Sequence, residues 1–299
     1  MSTPGIHCAE FAAQAGEHLF ATAARADVWL LLEYAEPWES DAFESSRLSQ
    51  PVKNRLTAAL KTIPRARLQL IRQPRREQSG PAFYAAVSRE PNVRLYRFSL
   101  SAYADLMRLD LPAVVSGDAR YDGNKVSEPL ILVCGHGSRD ACCARLGVPV
   151  YNALAAQPGW DVWLASHVGG HRFAANVICL PHGIVYGRVA PTDAAGLVER
   201  YRAGEIDLDH LRGRSNQDAV LQAADYFFRR HTGARAINAC HATQTTPLAD
   251  NHWRIEMTTA SGERRWVELA RDRAAIKTYI NCRDEAPSEQ DQFRLIGIE

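Results

Sequence analysis

The sequence contains no apolar run approaching the roughly 18 residues needed to span a bilayer, and its opening, MSTPGIHCAEF, lacks the basic and apolar regions of a signal peptide. A cytoplasmic protein with no membrane partner is therefore expected. Excess charge is missing too: 35 Lys and Arg stand against 34 Asp and Glu, which argues against a nucleic-acid partner. Low-complexity tracts and simple repeats are absent. The seven cysteines follow no regular spacing, and their odd number and a reducing compartment disfavour a disulfide framework. A chain of 299 residues can bury a large core without cross-links or metal, so clustered cysteines call for a chemical explanation.

Such a cluster is present. Residues 133–144 read VCGHGSRDACCA, and residues 166–171 read SHVGGH. One basic run, Arg65, Arg67, Arg72, Arg75 and Arg76, reads as a solvated face beside a strand; a docking patch for an acidic redox partner is the sharper alternative.

The apolar run VWLLLEY (Val28 to Tyr34) predicts a strand, and Val52 to Lys61 a helix with Val52, Leu56, Ala59 and Leu60 on its apolar face. LQLIRQ, FYAAVSR and RLYRFSL predict three strands, and Ala102 to Leu109 a helix. The Gly-, Asp- and Asn-rich stretch from Ser116 to Pro129 marks a domain boundary. Beyond it LILVCG is a strand, DACCARLGVPVYNALAAQ a helix irregular near Pro149, DVWLAS a strand, and HRFAANV a short helix or turn. VICLP and IVYGRV form a hairpin around Gly183, and a helix runs from Thr192 as N-cap to Gly204 as stop. This βαβα-ββα order is that of a thioredoxin-like α/β domain, and the first segment reads as a degenerate copy of it. A helix from about Asn216 to His231, with Val220, Ala223, Ala224 and Phe227 on one face, and a β-hairpin made of HWRIEMTT and RRWVELA complete the chain. The expected division is an N-terminal α/β domain (1–118), a thioredoxin-like domain (128–205) and a C-terminal helix and β extension (206–299).

Cys134 ends a predicted strand and Cys143 opens the following helix, where unpaired amides and the helix dipole favour thiolate. His167 and His171 follow the next strand, and the glycines between them predict a tight turn aiming both rings the same way. Two sulfurs and two imidazoles suit a structural zinc ion or an iron-sulfur cluster of mixed ligation. A third reading has no metal and treats Cys142 and Cys143 as a thiol-disulfide oxidoreductase pair, although adjacent cysteines rarely form an unstrained disulfide. Cys134-Gly-His136 and Cys179-Leu-Pro-His182-Gly imitate the two halves of a Rieske site. The 42 residues between His136 and Cys179 and their α/β pattern argue against it.

CGHGSRDACCARLGVPVYNAL, WLASHVGGHRFAANV and YGRVAP, together with CAEF, LLLEYAEPW and LRGRS, resemble the sucrase/ferredoxin-like family, which includes yeast thioredoxin-like ferredoxins. The resemblance covers most of the chain. It implies a thioredoxin-like ferredoxin domain and a 2Fe-2S cluster held by two cysteines nine apart and two histidines four apart, hence Cys134, Cys143, His167 and His171. It also implies an electron carrier with a protein donor and acceptor rather than a stand-alone enzyme. Sucrase activity gains no support, since no pair of carboxylates stands out as acid and nucleophile. Bis-histidinyl ligation would place the potential above the roughly −400 mV of four-cysteine ferredoxins and couple reduction to proton uptake.

The remaining candidates read more plainly. Arg172 is expected in solvent rather than docking a partner or tuning the potential, His136 as an ordinary loop histidine rather than a donor supporting a ligand, and Ser138 and Ser166 as caps or donors to cluster sulfur. Cys142 is expected to pack beside the ligand, and Cys8, Cys179, Cys240 and Cys282 to be scattered and structural. Trp160 and Trp163 are expected in the core.

Overall fold

The computed structural model describes residues 7–74 and 80–299. After a short helix α1 (Cys8–Gln14), the strand β1 (Val28–Glu33) is buried at every position. Its alternate side chains enter two cores: Val28, Leu30 and Leu32 meet Val52 and Leu56 of the helix α2 (Gln50–Thr62), while Trp29 and Leu31 join a cluster on the opposite face. Covering both faces is what an unbroken apolar strand requires. β2 (Ala66–Arg72), β3 (Ala82–Val87) and β4 (Arg94–Ser99) follow. The segment expected as a helix at Ala102 to Leu109 forms a 3-10 helix at Tyr103–Arg108, and α3 (Leu111–Ser116) starts afresh with Asp110 accepting from the Ala113 amide.

The second unit repeats the pattern with β5 (Leu130–Cys134), α4 (Ala141–Ala155), β6 (Asp161–Ala165), β7 (Val177–Leu180), β8 (Ile184–Tyr186) and α5 (Pro191–Arg202). α4 continues through Pro149. α5 begins two residues earlier than Thr192 would cap it, because Pro191 supplies a preset backbone at the first helical position and Ala190 takes the cap. Gly204 follows its end with φ 82°, as expected of a helix stop.

Strand order β4-β3-β1-β2-β6-β5-β7-β8 puts the same arrangement, second-first-third-fourth, on both halves of one sheet. In each half the first two strands are parallel and the last two antiparallel. This is the thioredoxin-like order twice, joined edge to edge where β2 meets β6 antiparallel through Ile71 with Ala165 and Arg72 with Leu164. A ninth strand, β9 (Leu211–Arg214), closes the sheet beyond β8.

The C-terminal part is larger than the predicted hairpin. α6 (Ala219–Thr232), capped by Asp218, packs on a four-stranded antiparallel sheet of β10 (Cys240–Ala249), β11 (His252–Thr259), β12 (Arg264–Thr278) and β13 (Ser288–Ile298). Ala223, Ala224 and Phe228 meet Ile255, Met257, Val267 and Leu269, so Phe228 rather than Phe227 marks the fully buried face.

Where it is described, the basic run is only partly a solvated face: the Arg65 side chain is 50% exposed, whereas Arg67 and Arg72 are half-buried. Arg65 makes a forked contact to the buried Asp27, Arg67 lies 5.8 Å from the Trp29 ring and Arg72 4.4 Å from the Trp38 ring. Arg75 and Arg76 lie outside the described residues. Among the described residues no helix is long and apolar enough to cross a membrane.

Candidate metal centre

β5 and β6 are parallel neighbours with Cys134 opposite Ala165. Their C-terminal ends therefore open side by side, and the chain leaving each carries one half of the site. From β5 the loop runs through His136 to Asp140, whose carboxylate accepts from the Cys142 amide at 2.9 Å and starts α4. One residue further, Cys143 faces back toward Cys134. From β6 the chain reaches His167 two residues after the strand, turns at Gly169 (φ 100°) and Gly170 (φ 75°), and presents His171 at the start of a 3-10 helix. The His167 and His171 rings stack with centroids 4.6 Å apart at 25°, so the turn does aim them together.

The Cys134 and Cys143 sulfurs and one ring nitrogen of His167 lie within 4.8 Å of one another, with His167 Nδ1 4.0 Å from Cys143 Sγ. His171 Nδ1 is buried and has no hydrogen-bond partner among the described residues. An orphaned buried polar atom costs free energy unless something binds it. The two thiols do not behave alike, as their helix-and-strand position alone would suggest. A hydrogen bond from Cys143 holds Cys134 well below the ordinary thiol range against its burial, and the same contact, with burial, pushes Cys143 up. Two thiols this close share one proton; ionising both takes a cation between them.

Several neighbours hold this arrangement. The His167 amide donates to His136 Nδ1 at 3.1 Å, which leaves the ring proton on Nε2, 2.7 Å from the Glu39 carbonyl. Burial lowers the His136 pKa and favours that neutral ring. His136 is thus neither a Rieske ligand nor an idle loop residue: it positions the backbone of His167. Arg212, from β9, is fully buried; its guanidinium donates to the Gly169 carbonyl at 3.0 Å, to Asn176 Oδ1 at 2.7 Å and to Thr22. Asn176 Nδ2 in turn donates to the Gly170 carbonyl at 2.9 Å. Burial pulls the Arg212 pKa down to about 9, which leaves it charged at neutral pH, while the Cys134 thiolate works in the opposite direction.

Other expected roles change. Arg172 is not in solvent but pairs with the buried Glu17 at 2.8 Å and covers Phe173. Ser166 donates to Gln69 Oε1 at 2.9 Å and accepts from the Leu70 amide at 3.0 Å, so it ties β6 to β2. Ser138 donates to the Trp38 carbonyl, and Asp140 takes the capping role. Cys179 is buried in the main core and His182 bonds Tyr201 Oη at 2.9 Å, so neither approaches the site as a Rieske ligand. Trp163 is buried and Trp160 partly so. Cys142 turns away from Cys143, with its sulfur 3.3 Å from Cys282 Sγ and 3.8 Å from Cys8 Sγ; these three are gathered rather than scattered. The role of Arg212 had one sequence signal, the LRGRS stretch. Asn176 and His136 had none beyond proximity.

Parts of the chain are similar to known proteins. "Altered inheritance of mitochondria protein 32" of Meyerozyma guilliermondii is 33% identical over 107 residues, 32% of this chain and 38% of that protein. Its counterpart in Debaryomyces hansenii is 39% identical over 99 residues, 29% of this chain and 36% of that protein. The match therefore spans a little over a third of the length of these curated relatives. A thioredoxin-like 2Fe-2S ferredoxin from Aquifex aeolicus is 20% identical, with a TM-score of 0.27, covering 31% of this chain and 96% of that structure. The sequence profile described as sucrase/ferredoxin-like runs from residue 19 to 213, taking in both halves of the long sheet and Arg212 with the turn it holds, and the chain belongs to that family.

Proposed function

We propose that this protein is an iron-sulfur electron carrier that binds one 2Fe-2S cluster through Cys134, Cys143, His167 and His171, and exchanges single electrons with a protein donor and a protein acceptor. The observation that carries the reading is the convergence of two proton-sharing thiols with His167, on whose ring His171 stacks with a buried Nδ1 that is unpartnered among the described residues. Sulfur and imidazole donors with no carboxylate among them suit such a group, which supplies one-electron storage when bound. Cys134 and Cys143 bring the charge, and the fixed cation of Arg212 offsets part of it. His136 and Arg212 orient the histidine turn. The reading assumes the reducing cytoplasm, where thiols stay free.

Anaerobically purified protein is expected to be brown-red with about two irons and two sulfides per chain. Cys134→Ala, Cys143→Ala and the double change His167→Ala with His171→Ala are each expected to lose the colour, whereas Cys142→Ala keeps it. A colourless wild type holding only zinc would replace this reading with the structural-metal one. The vicinal oxidoreductase reading has less support, because the Cys142 and Cys143 sulfurs face different groups.

His167 and His171 are half-exposed, and with Nδ1 turned inward each ring leaves Nε2 to hold a proton. Negative charge added on the Nδ1 side raises the proton affinity of Nε2. The midpoint potential is expected to fall as pH rises, approaching about 59 mV per pH unit where one proton accompanies one electron. Voltammetry from about pH 6 to 9 reads this directly, and a flat line there removes the proton coupling.

A further inference from the structure

A second group of metal-ligating side chains lies behind the first. Cys8 opens α1, Asp140 caps α4, Cys142 is the second residue of α4, and Cys282 lies in the turn between β12 and β13. The three sulfurs are mutually close: 3.3 Å for Cys142 with Cys282, 3.5 Å for Cys282 with Cys8, and 3.8 Å for Cys8 with Cys142. Asp140 Oδ1 is 3.2 Å from Cys282 Sγ and 3.8 Å from Cys8 Sγ. Cys8, Asp140 and Cys142 are buried, and Cys282 is half-buried.

We propose that Cys8, Cys142, Cys282 and Asp140 bind one zinc ion in a closed, structural, tetrahedral site. With Zn–S near 2.3 Å and Zn–O near 2.0 Å, a tetrahedron has sulfur–sulfur edges of about 3.8 Å and sulfur–oxygen edges of about 3.5 Å. The sulfur–sulfur separations lie at or up to about 0.5 Å below their edge and the sulfur–oxygen separations fall on either side of theirs, so modest side-chain adjustments accommodate the ion. A disulfide would use two of the three sulfurs and leave the third facing it, and the shortest separation is well beyond the roughly 2.05 Å of an S–S bond. The carboxylate is already fixed: Oδ1 accepts from the Cys142 amide at 2.9 Å and Oδ2 from the Cys282 amide at 2.8 Å. Such outer contacts are how metal sites orient their ligands. Three thiolates and one carboxylate fill the tetrahedron, which makes the site structural rather than catalytic.

The ion would tie α1, the start of α4 and the C-terminal sheet, joining residues 274 apart in sequence.

The test is elemental analysis of the full chain purified anaerobically from zinc-supplemented cells, with Cys8→Ser, Cys282→Ser and Cys134→Ser beside it. Wild type is expected to hold about one zinc, falling at least tenfold in the first two variants with iron and the visible spectrum unchanged, while Cys134→Ser loses iron and keeps zinc. Zinc-edge absorption of the wild type is expected to show about three sulfurs and one oxygen around the ion. Should the serine variants fail to fold, alkylation of the wild type decides: Cys8, Cys142 and Cys282 are protected with zinc and modified after chelation. Wild type without zinc even after incubation with zinc chloride overturns the proposal. So does zinc that follows Cys134 instead of Cys8, a Cys142–Cys282 disulfide in the anaerobic protein, or alkylation indifferent to chelation.

Discussion

Arg212→Leu is expected to cost about 3–5 kcal/mol of stability, the cost typical of removing one member of a buried charged network. The side chain is fully buried, and each of its hydrogen bonds ends on a group with few other outlets: the Gly169 carbonyl, Asn176 Oδ1, and both oxygens of Thr22. Leucine fills part of the volume but leaves four acceptors without their donor, each at a penalty of about 1–3 kcal/mol where water cannot enter. Local relaxation keeps the total below their sum. Arg212→Lys retains the charge but not the planar fork, so it is expected to recover less than half of the loss. A second consequence separates this site from an ordinary core position. The Arg212 guanidinium also occupies the space beside Gly170, where a Cβ would fall 2.4 Å from one of its nitrogens, so the histidine turn is moulded on it. Urea unfolding measures the first effect. Iron content under the proposed ligation measures the second, and it is expected to fall in the fraction that remains folded. An unfolding midpoint within the range of an exposed control such as Arg108→Leu, about 0.5 kcal/mol of wild type, would show that the network does not matter.

The sequence shows some of these devices and hides others for physical reasons. β1, up to its terminal Glu33, and β5 are apolar because both faces are covered, and such runs are visible without context. Cys134 and Cys143 fall within one strand-loop-helix unit, and His167 and His171 within one turn, so spacing alone brings each pair to notice. β9 has the opposite character. LRGR carries two arginines and a glycine, yet all four residues are buried because Thr22, Gly169 and Asn176 receive Arg212 while Glu90 and Ile237 receive Arg214. No local pattern announces a strand whose charges are satisfied from elsewhere. β10 and β13 are missed because their outer positions are polar and exposed, which resembles loop composition. Cys8 and Cys282 meet Cys142 only after α1 and the β12–β13 turn have converged on α4, and a separation of 274 residues has no periodicity to reveal it.

Gly147→Ala is expected to destabilise the protein by about 1–3 kcal/mol, reversing the sign that helix propensity alone would give. In an exposed helix the same change stabilises by up to about 1 kcal/mol, because alanine loses less backbone freedom on folding. Gly147 sits four residues after Cys143 on the face of α4 that lies against β5. A Cβ there would stand 2.0 Å from the Cys134 carbonyl oxygen and 3.1 Å from its carbonyl carbon. Both are backbone atoms of a strand paired on both sides, so no flexible side chain can swing away. The helix itself must lift from the strand, and Cys134 belongs to the strand while Cys143 belongs to the helix. Under the proposed ligation, iron occupancy is therefore expected to fall along with the urea midpoint, whereas Gly123→Ala, with nothing within 4 Å of the new methyl, leaves both unchanged. A raised midpoint in Gly147→Ala would mean that helix and strand have room to spare and that the spacing of the two thiols is not set by this contact.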